Sequence, residues 1–302
     1  MYYKHSGRFT PVGLVTAGLV GCIAAVVLAY AYGRGIILIP EVKLAALAAI
    51  AFGCLVGAAT GYGLIWGKVR NNLLGSLLSG CVSALALYLS WAVWVASTLE
   101  SHHVVKEVSW IALAQHPVAL WNLIRDINQY GTWSFSSGPA TAGGILWIIW
   151  FLEAVCVIGG GAFVGSAVLH VHAFCESCGT WCKSGAKFIL AVPQNVAQLK
   201  MQLEANDLHS VETLGPGAKG TDHLDVELDS GPQCRQFHTM SVVHTMIRRT
   251  KSGKPTVTNH TIVKHLLLGP GHAETLRQVS EKVSQAVKMA PPKANAAAAG
   301  RK

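Results

Sequence analysis

The chain has 302 residues, 51% of them apolar and only 13% charged, with a mean hydropathy of +0.40. Ordinary soluble domains carry roughly 25% charged residues, so the composition argues against a soluble enzyme, a disordered chain or a coiled coil. Charge is also unevenly spread. From Met1 to Ser97 the only charged side chains are Lys4, Arg8, Arg34, Glu41, Lys43, Lys68 and Arg70, whereas beyond Val171 charges return at ordinary density. The pattern predicts an α-helical integral membrane bundle over residues 1–170, a small cytoplasmic α+β domain over 171–290, and a disordered Ala-rich tail over 291–302.

Four stretches, 9–33, 44–66, 73–97 and 144–169, reach the ~20 apolar residues that a helix needs to cross a bilayer core of ~30 Å. Helix is the expected form because lipid offers the backbone no hydrogen-bond partner. Within the first stretch, Leu19-Val20-Gly21-Cys22 resembles a lipoprotein cleavage box, yet the apolar run continues through residues 23–28. A cleaved signal has a short apolar core, so Cys22 reads as a small packing residue. Orientation follows from lysine and arginine. Lys4, Arg8, Lys68, Arg70 and the basic carboxyl half share one side. On the other, four basic residues (Arg34, Lys43, Lys106, Arg125) cancel four acidic ones (Glu41, Glu100, Glu107, Asp126). Both termini are therefore expected in the cytoplasm, with the bacterial inner membrane as the host bilayer.

Two features stand out within the spans. Gly53, Gly57 and Gly61 lie four residues apart on one helical face, and Gly161 and Gly165 repeat the step. Such faces let helix backbones approach closely. Packing inside one bundle is the first expectation and self-association into a homo-oligomer the second; the triple glycine 159–161 is expected to serve the same packing. Glu153 is the one acidic side chain inside an apolar span. A carboxylate there costs a few kcal/mol on insertion scales. It reads either as a proton or cation site of a small transporter or channel subunit, or as a neutral carboxyl bonded to Thr60, Ser79 or Ser83.

The extracytoplasmic segment 98–143 is longer than a connector requires. Val118, Leu120, Trp121, Leu123, Ile124 and Ile127 fall on one helical face, with Arg125, Asp126 and Asn128 opposite and Tyr130, Trp133 and Phe135 following. This predicts an interfacial helix on the outer leaflet, with a lid over an external site as the sharper reading. His102, His103 and His116 point to a metal only weakly, because the pair has no spaced third ligand.

Directly after the last span come Cys175, Cys178 and Gly179, then Cys182. Two cysteines separated by two residues can put both sulfurs on one tetrahedral metal, and the glycine permits the knuckle turn. These eight residues resemble half of a zinc ribbon. A ribbon would supply a second pair, but only Cys234 remains, with Phe237 where a cysteine belongs and His238 beside it. The candidate zinc ligands are thus Cys175, Cys178 and Cys234, with His238 or Cys182 as the fourth. A degenerate ribbon without metal and a thiol–disulfide redox pair are the other two readings. A redox pair usually opens a helix in a βαβ setting, and a cytoplasmic thiol stays reduced.

Further along, residues 188–192 have strand composition, and Pro193 is placed to open a helix carrying Val196, Leu199, Leu203 and Leu208 to about residue 214. Gly215-Pro216-Gly217 ends it. Leu224, Val226 and Leu228 alternate with acids, the period of a half-buried strand. Residues 241–250 and 256–268 predict two more strands, and 272–288 a helix with Leu276, Val279, Val283 and Val287 on one face. His223, His244, His260 and His265 fall on strands with no metal spacing. The net charge is +9. Arg248, Arg249, Lys251 and Lys254 cluster at one hairpin without any nucleic-acid motif, so anionic lipid headgroups are the expected partner. No phosphate loop, His-Glu-x-x-His helix or nucleophile elbow occurs. The expected role is non-enzymatic: a scaffold or sensor.

Overall fold

The computed structural model describes residues 1–39, 41–101, 108–132, 140–231, 234, 236–249 and 254–289. His102, His103, Trp133, Phe135, Lys251 and the tail 291–302 lie outside the described residues. The chain forms two compact units, Ser6–Val171 and Met1–His5 together with His172–Lys302.

The first unit holds four helices long and apolar enough to cross a membrane: α1 (Pro11–Gly35), α2 (Val42–Trp66), α3 (Asn72–Ser101) and α6 (Gly143–Leu169). Thr10 caps α1 by accepting from Gly13 N at 3.1 Å, and Pro11 stands at its first turn, where a missing amide costs little. The helix then runs unbroken through Cys22. Its buried positions are Gly13, Ala17, Gly21, Ala25, Ala29 and Gly33, every fourth residue and all small, which lets α2 and α3 lie close against it.

The glycine ladder of α2 meets α6. A Cβ on Gly53 would stand 2.7 Å from Val157 Cα, and one on Gly57 would stand 2.7 Å from Gly161 Cα. One on Gly61 would meet Gly165 O at 3.0 Å. These faces are thus consumed within one chain. Of the triple glycine, only Gly161 is needed for close approach: a side chain at Gly159 would find open space and one at Gly160 would meet only Cys54 Sγ at 3.8 Å. On the third side, Ser79 and Ser83 face Gly165 and Gly161.

Between α3 and α6 the chain forms α4 (Trp110–Gln115) and α5 (Pro117–Tyr130). The expected apolar face of α5 divides. Leu120 and Ile124 are buried with Leu123 and Ile127 beside them, in a cluster with Ala92, Val95, Leu146 and Trp150 of α3 and α6. Val118 and Trp121 are exposed. Asn128, expected on the polar face, is instead buried, its Nδ2 donating to Gly143 O at 3.2 Å. An amide at a helix end can satisfy a backbone carbonyl at the start of the next helix, and this contact outweighs simple amphipathicity.

The second unit is built on an antiparallel sheet in the order β3-β4-β5-β6: β3 (Lys183–Leu190), β4 (His223–Ser230), β5 (His238–Arg249) and β6 (Pro255–Leu268). Helices α7 (Val196–Glu204), α8 (His209–Thr213) and α9 (Pro270–Met289) complete it. Leu224, Val226 and Leu228 of β4 join Leu199, Leu203, Leu266, Leu276, Val279 and Val283 in one core. Val287 is exposed, one turn beyond the sheet's cover. The helix predicted from Pro193 begins later and breaks. Asn195 is its cap, accepting from Gln198 N at 3.0 Å. Asn206 at φ +59° ends α7, and Asp207 starts α8 by accepting from His209 N at 2.9 Å. Asparagine tolerates the left-handed region and aspartate bonds the backbone amide two residues on, so local polar chemistry overrides the apolar stripe.

The first three residues lie along the edge of this sheet. Tyr2 bridges Leu266, Tyr3 N donates to His265 O at 2.9 Å, and Leu267 N donates to Met1 O at 3.0 Å. The amino terminus is thereby a short extra strand on the β6 edge, which masks part of an otherwise unpaired edge.

Candidate metal centre

The knuckle sits in a short hairpin whose two strands are two residues each. β1 (Phe174–Cys175) pairs antiparallel with β2 (Thr180–Trp181), matching Phe174 to Trp181 and Cys175 to Thr180. Gly179 takes φ +62° in the turn, a conformation that L side chains rarely adopt. Cys178 Sγ accepts from Thr180 Oγ1 at 3.4 Å. The third sulfur comes from the connection between β4 and β5, where Cys234 N donates to Gly231 O at 3.2 Å. Cys175, Cys178 and Cys234 bring their sulfurs within 4.8 Å of one another. Tetrahedral zinc with Zn–S ≈ 2.3 Å sets sulfurs roughly 3.8 Å apart, so the cluster can hold a metal with little movement.

Gly231 is required by this geometry. A Cβ there would lie 3.0 Å from Cys234 Cβ, 3.1 Å from Cys178 Sγ and 3.3 Å from Cys175 Cβ. Tyr3 packs into the same cluster of side chains. Its hydroxyl accepts from Phe174 N at 3.1 Å, and its ring meets that of Phe237 edge-on at 5.8 Å. Phe237, at the position where a second knuckle would carry cysteine, thus packs against the amino-terminal strand. His5 adds an edge contact with Trp181 at 5.9 Å. Neither Tyr3 nor Gly231 was foreseen as a site residue. Tyr3 lies too far along the chain for any local pattern to reveal, whereas a glycine three before a lone cysteine was a readable turn signal.

The two candidates for a fourth ligand differ. Cys182 is buried in the same cluster, and its N–H donates to Ala173 O at 2.8 Å. His238 is buried at the start of β5 with Nδ1 2.8 Å from Ser230 Oγ. Both stand outside the set of three mutually close ligand atoms. Burial pushes the Cys175 thiol up to about 11, with the Cys178 side chain adding to the shift. Burial pushes Cys182 up to about 12, and negative charge on Cys175, Asp229, Cys178 or Cys234 adds to it. Asp229 itself is raised, first by burial and then by Glu227. A thiol that attacks disulfides needs the reverse shift. A bound cation would supply what these sulfurs lack, since a metal deprotonates its thiol ligands.

In the helical unit, Glu153 accepts from Tyr32 Oη at 2.6 Å. None of the three expected partners fills that place: Thr60 donates to Val56 O within its own helix, and the Ser79 and Ser83 hydroxyls face glycines. Of the basic hairpin residues, Arg248 and Arg249 lie at the end of β5, paired with Thr256 and Pro255 of β6.

Compared with known protein families, with curated proteins and with solved structures, the chain finds a match in none of the three.

Proposed function

We propose that this protein is a multi-pass membrane scaffold or sensor whose four spans anchor a cytoplasmic α+β domain stapled by structural zinc. The observation that carries the reading is the trio Cys175, Cys178 and Cys234, assembled from a knuckle and a separate turn. Three cysteine sulfurs converging from two separate segments match the thiolate ligand set of a structural zinc site. Cys182 is the fourth ligand in this reading, and its sulfur would have to move to join the three. It is buried in the same cluster, and charge on each of the three reaches it. Zinc supplies no reaction here; it fixes the hairpin against the β4–β5 connection, as closed four-ligand sites do.

The topology agrees with a membrane anchor. Residues Met1–Tyr3 pair with β6, so they and the carboxyl half share one side, as an even number of crossings requires. The lysine and arginine bias makes that side the cytoplasm, and Arg248 and Arg249 then meet anionic headgroups.

The test is zinc by elemental analysis on the detergent-purified full chain, wild type beside Cys178→Ser. One equivalent in the wild type, lost in the variant, is expected. Wild-type protein without zinc, prepared without chelator, overturns the reading.

A further inference from the structure

We propose that the cavity around Glu153 in the helical unit is a binding site for a lipophilic organic monocation. The inference is independent of the sulfur centre. The cavity, about 560 Å³, lies where α1 ends, α2 begins and α3 ends, against the first half of α6. That size suits a drug-sized ligand.

Its polar groups are few and mostly committed. Ser90 Oγ donates to Leu87 O at 2.8 Å and Thr98 Oγ1 donates to Trp94 O at 2.8 Å, so both hydroxyl protons stay with their own helix. Among the described lining residues Glu153 is the one carboxyl group, and none of them is a lysine, arginine or histidine. Tyr32 donates to Oε1 at 2.6 Å, and the Tyr32 ring is held by flat stacking on Phe52, centroids 4.5 Å apart. One oxygen is thus oriented by a phenol, while a charge in this setting still calls for a counter-ion. The nearest arginine on α1, Arg34, is already taken by Glu100 at 2.8 Å.

The rest of the wall selects the kind of cation. Trp91, Trp94 and Trp150 line the cavity. They meet one another edge-on, at 4.8 Å for Trp91–Trp150 and 5.3 Å for Trp91–Trp94. Indole faces attract cations most strongly when water is excluded. A hard metal ion would need six or more oxygens, and one carboxyl cannot provide them. Ile37, Ile50 and Leu152, also in the wall, are exposed on the apolar surface of the helices. The ligand's route is therefore through lipid, which a bulky, weakly hydrated cation can take.

The probe is radiolabelled tetraphenylphosphonium, measured by equilibrium dialysis against the detergent-purified full chain. Saturable binding near one per chain is expected, weakened by roughly tenfold or more in Glu153→Gln with an unchanged unfolding midpoint. Triphenylphosphine oxide, neutral and similarly aromatic, should compete with the wild type at least roughly tenfold less well. That comparison needs no variant, so it decides the matter even where Glu153→Gln fails to fold. Absent saturable binding, equal binding by a folded Glu153→Gln, or equal competition by the neutral compound each overturns the proposal; the last would mark a site for neutral lipid.

Discussion

Replacing Gly57 by alanine tests whether the glycine ladder holds two helices of one chain together. The added Cβ would press on the Gly161 carbonyl and stand 2.7 Å from Gly161 Cα and 2.8 Å from its carbonyl carbon. All three contacts are backbone, so no side chain can rotate away. Restoring an ordinary separation of ~3.5–4.0 Å between carbons requires α2 and α6 to part by about 1 Å. A gap of that size forfeits a quarter to a half of each dispersion contact along the seam, and overpacking of this kind costs ~1–3 kcal/mol. For a unit of this length, roughly 2–4 °C per kcal/mol gives a fall of roughly 2–12 °C in the unfolding midpoint. The assay is thermal unfolding in detergent with Gly159→Ala as the control, because nothing lies within 4 Å of its added methyl. That control should be neutral or slightly stabilising, since alanine favours helix by ~1 kcal/mol over glycine. Equal midpoints for the two variants would refute the reasoning. So would a Gly57→Ala protein that changes only its oligomeric mass in light scattering, which would place the ladder between chains.

Gly231→Ala should weaken zinc binding by roughly 10–100-fold, the usual scale for disturbing the support of metal ligands; titration against a chromophoric chelator reads it directly. Tyr3→Phe removes the acceptor of the Phe174 amide and should destabilise the domain by ~1–3 kcal/mol, visible as a lower midpoint and faster zinc release to chelator. In Asn128→Ala, the lost bond to Gly143 should cost ~0.5–1.5 kcal/mol and speed protease cleavage between α5 and α6 relative to wild type. Treatment with a zinc chelator should lower the melting transition of the α+β unit while leaving that of the helical unit unchanged, as scanning calorimetry would record.

The four long apolar helices were legible because length and apolarity state them outright, and a strand such as β4 because Leu224, Val226 and Leu228 alternate with acids. Glycine spacing likewise announced a close helix contact, and Gly57 against Gly161 is that contact. What escaped were pairings between distant residues. Tyr32, an aromatic in an apolar run, carries no local mark of its bond to Glu153. Tyr3 carries no local mark of its place in the side-chain cluster at the sulfurs. Asn128 followed helical periodicity onto a polar face, but a single amide-to-carbonyl bond turned it inward. Of the sulfurs, the knuckle pair was marked by spacing, whereas the partnership with Cys234 arises only when the β4–β5 connection returns to the hairpin.

The strand at the amino terminus also sets an order of assembly. Its bridge partner Leu266 is near the end of the second unit, so Tyr2 is synthesised long before the residue it pairs with. Four apolar segments must be delivered to the bilayer in the interval. Closing so long a loop slows the final step more than it weakens the product, because closure entropy grows only with the logarithm of length. Until it closes, the β6 edge and the thiols near Tyr3 stay open to other chains. Chaperone dependence and vulnerability to oxidation should therefore peak late in biogenesis, after the helices are already in the membrane.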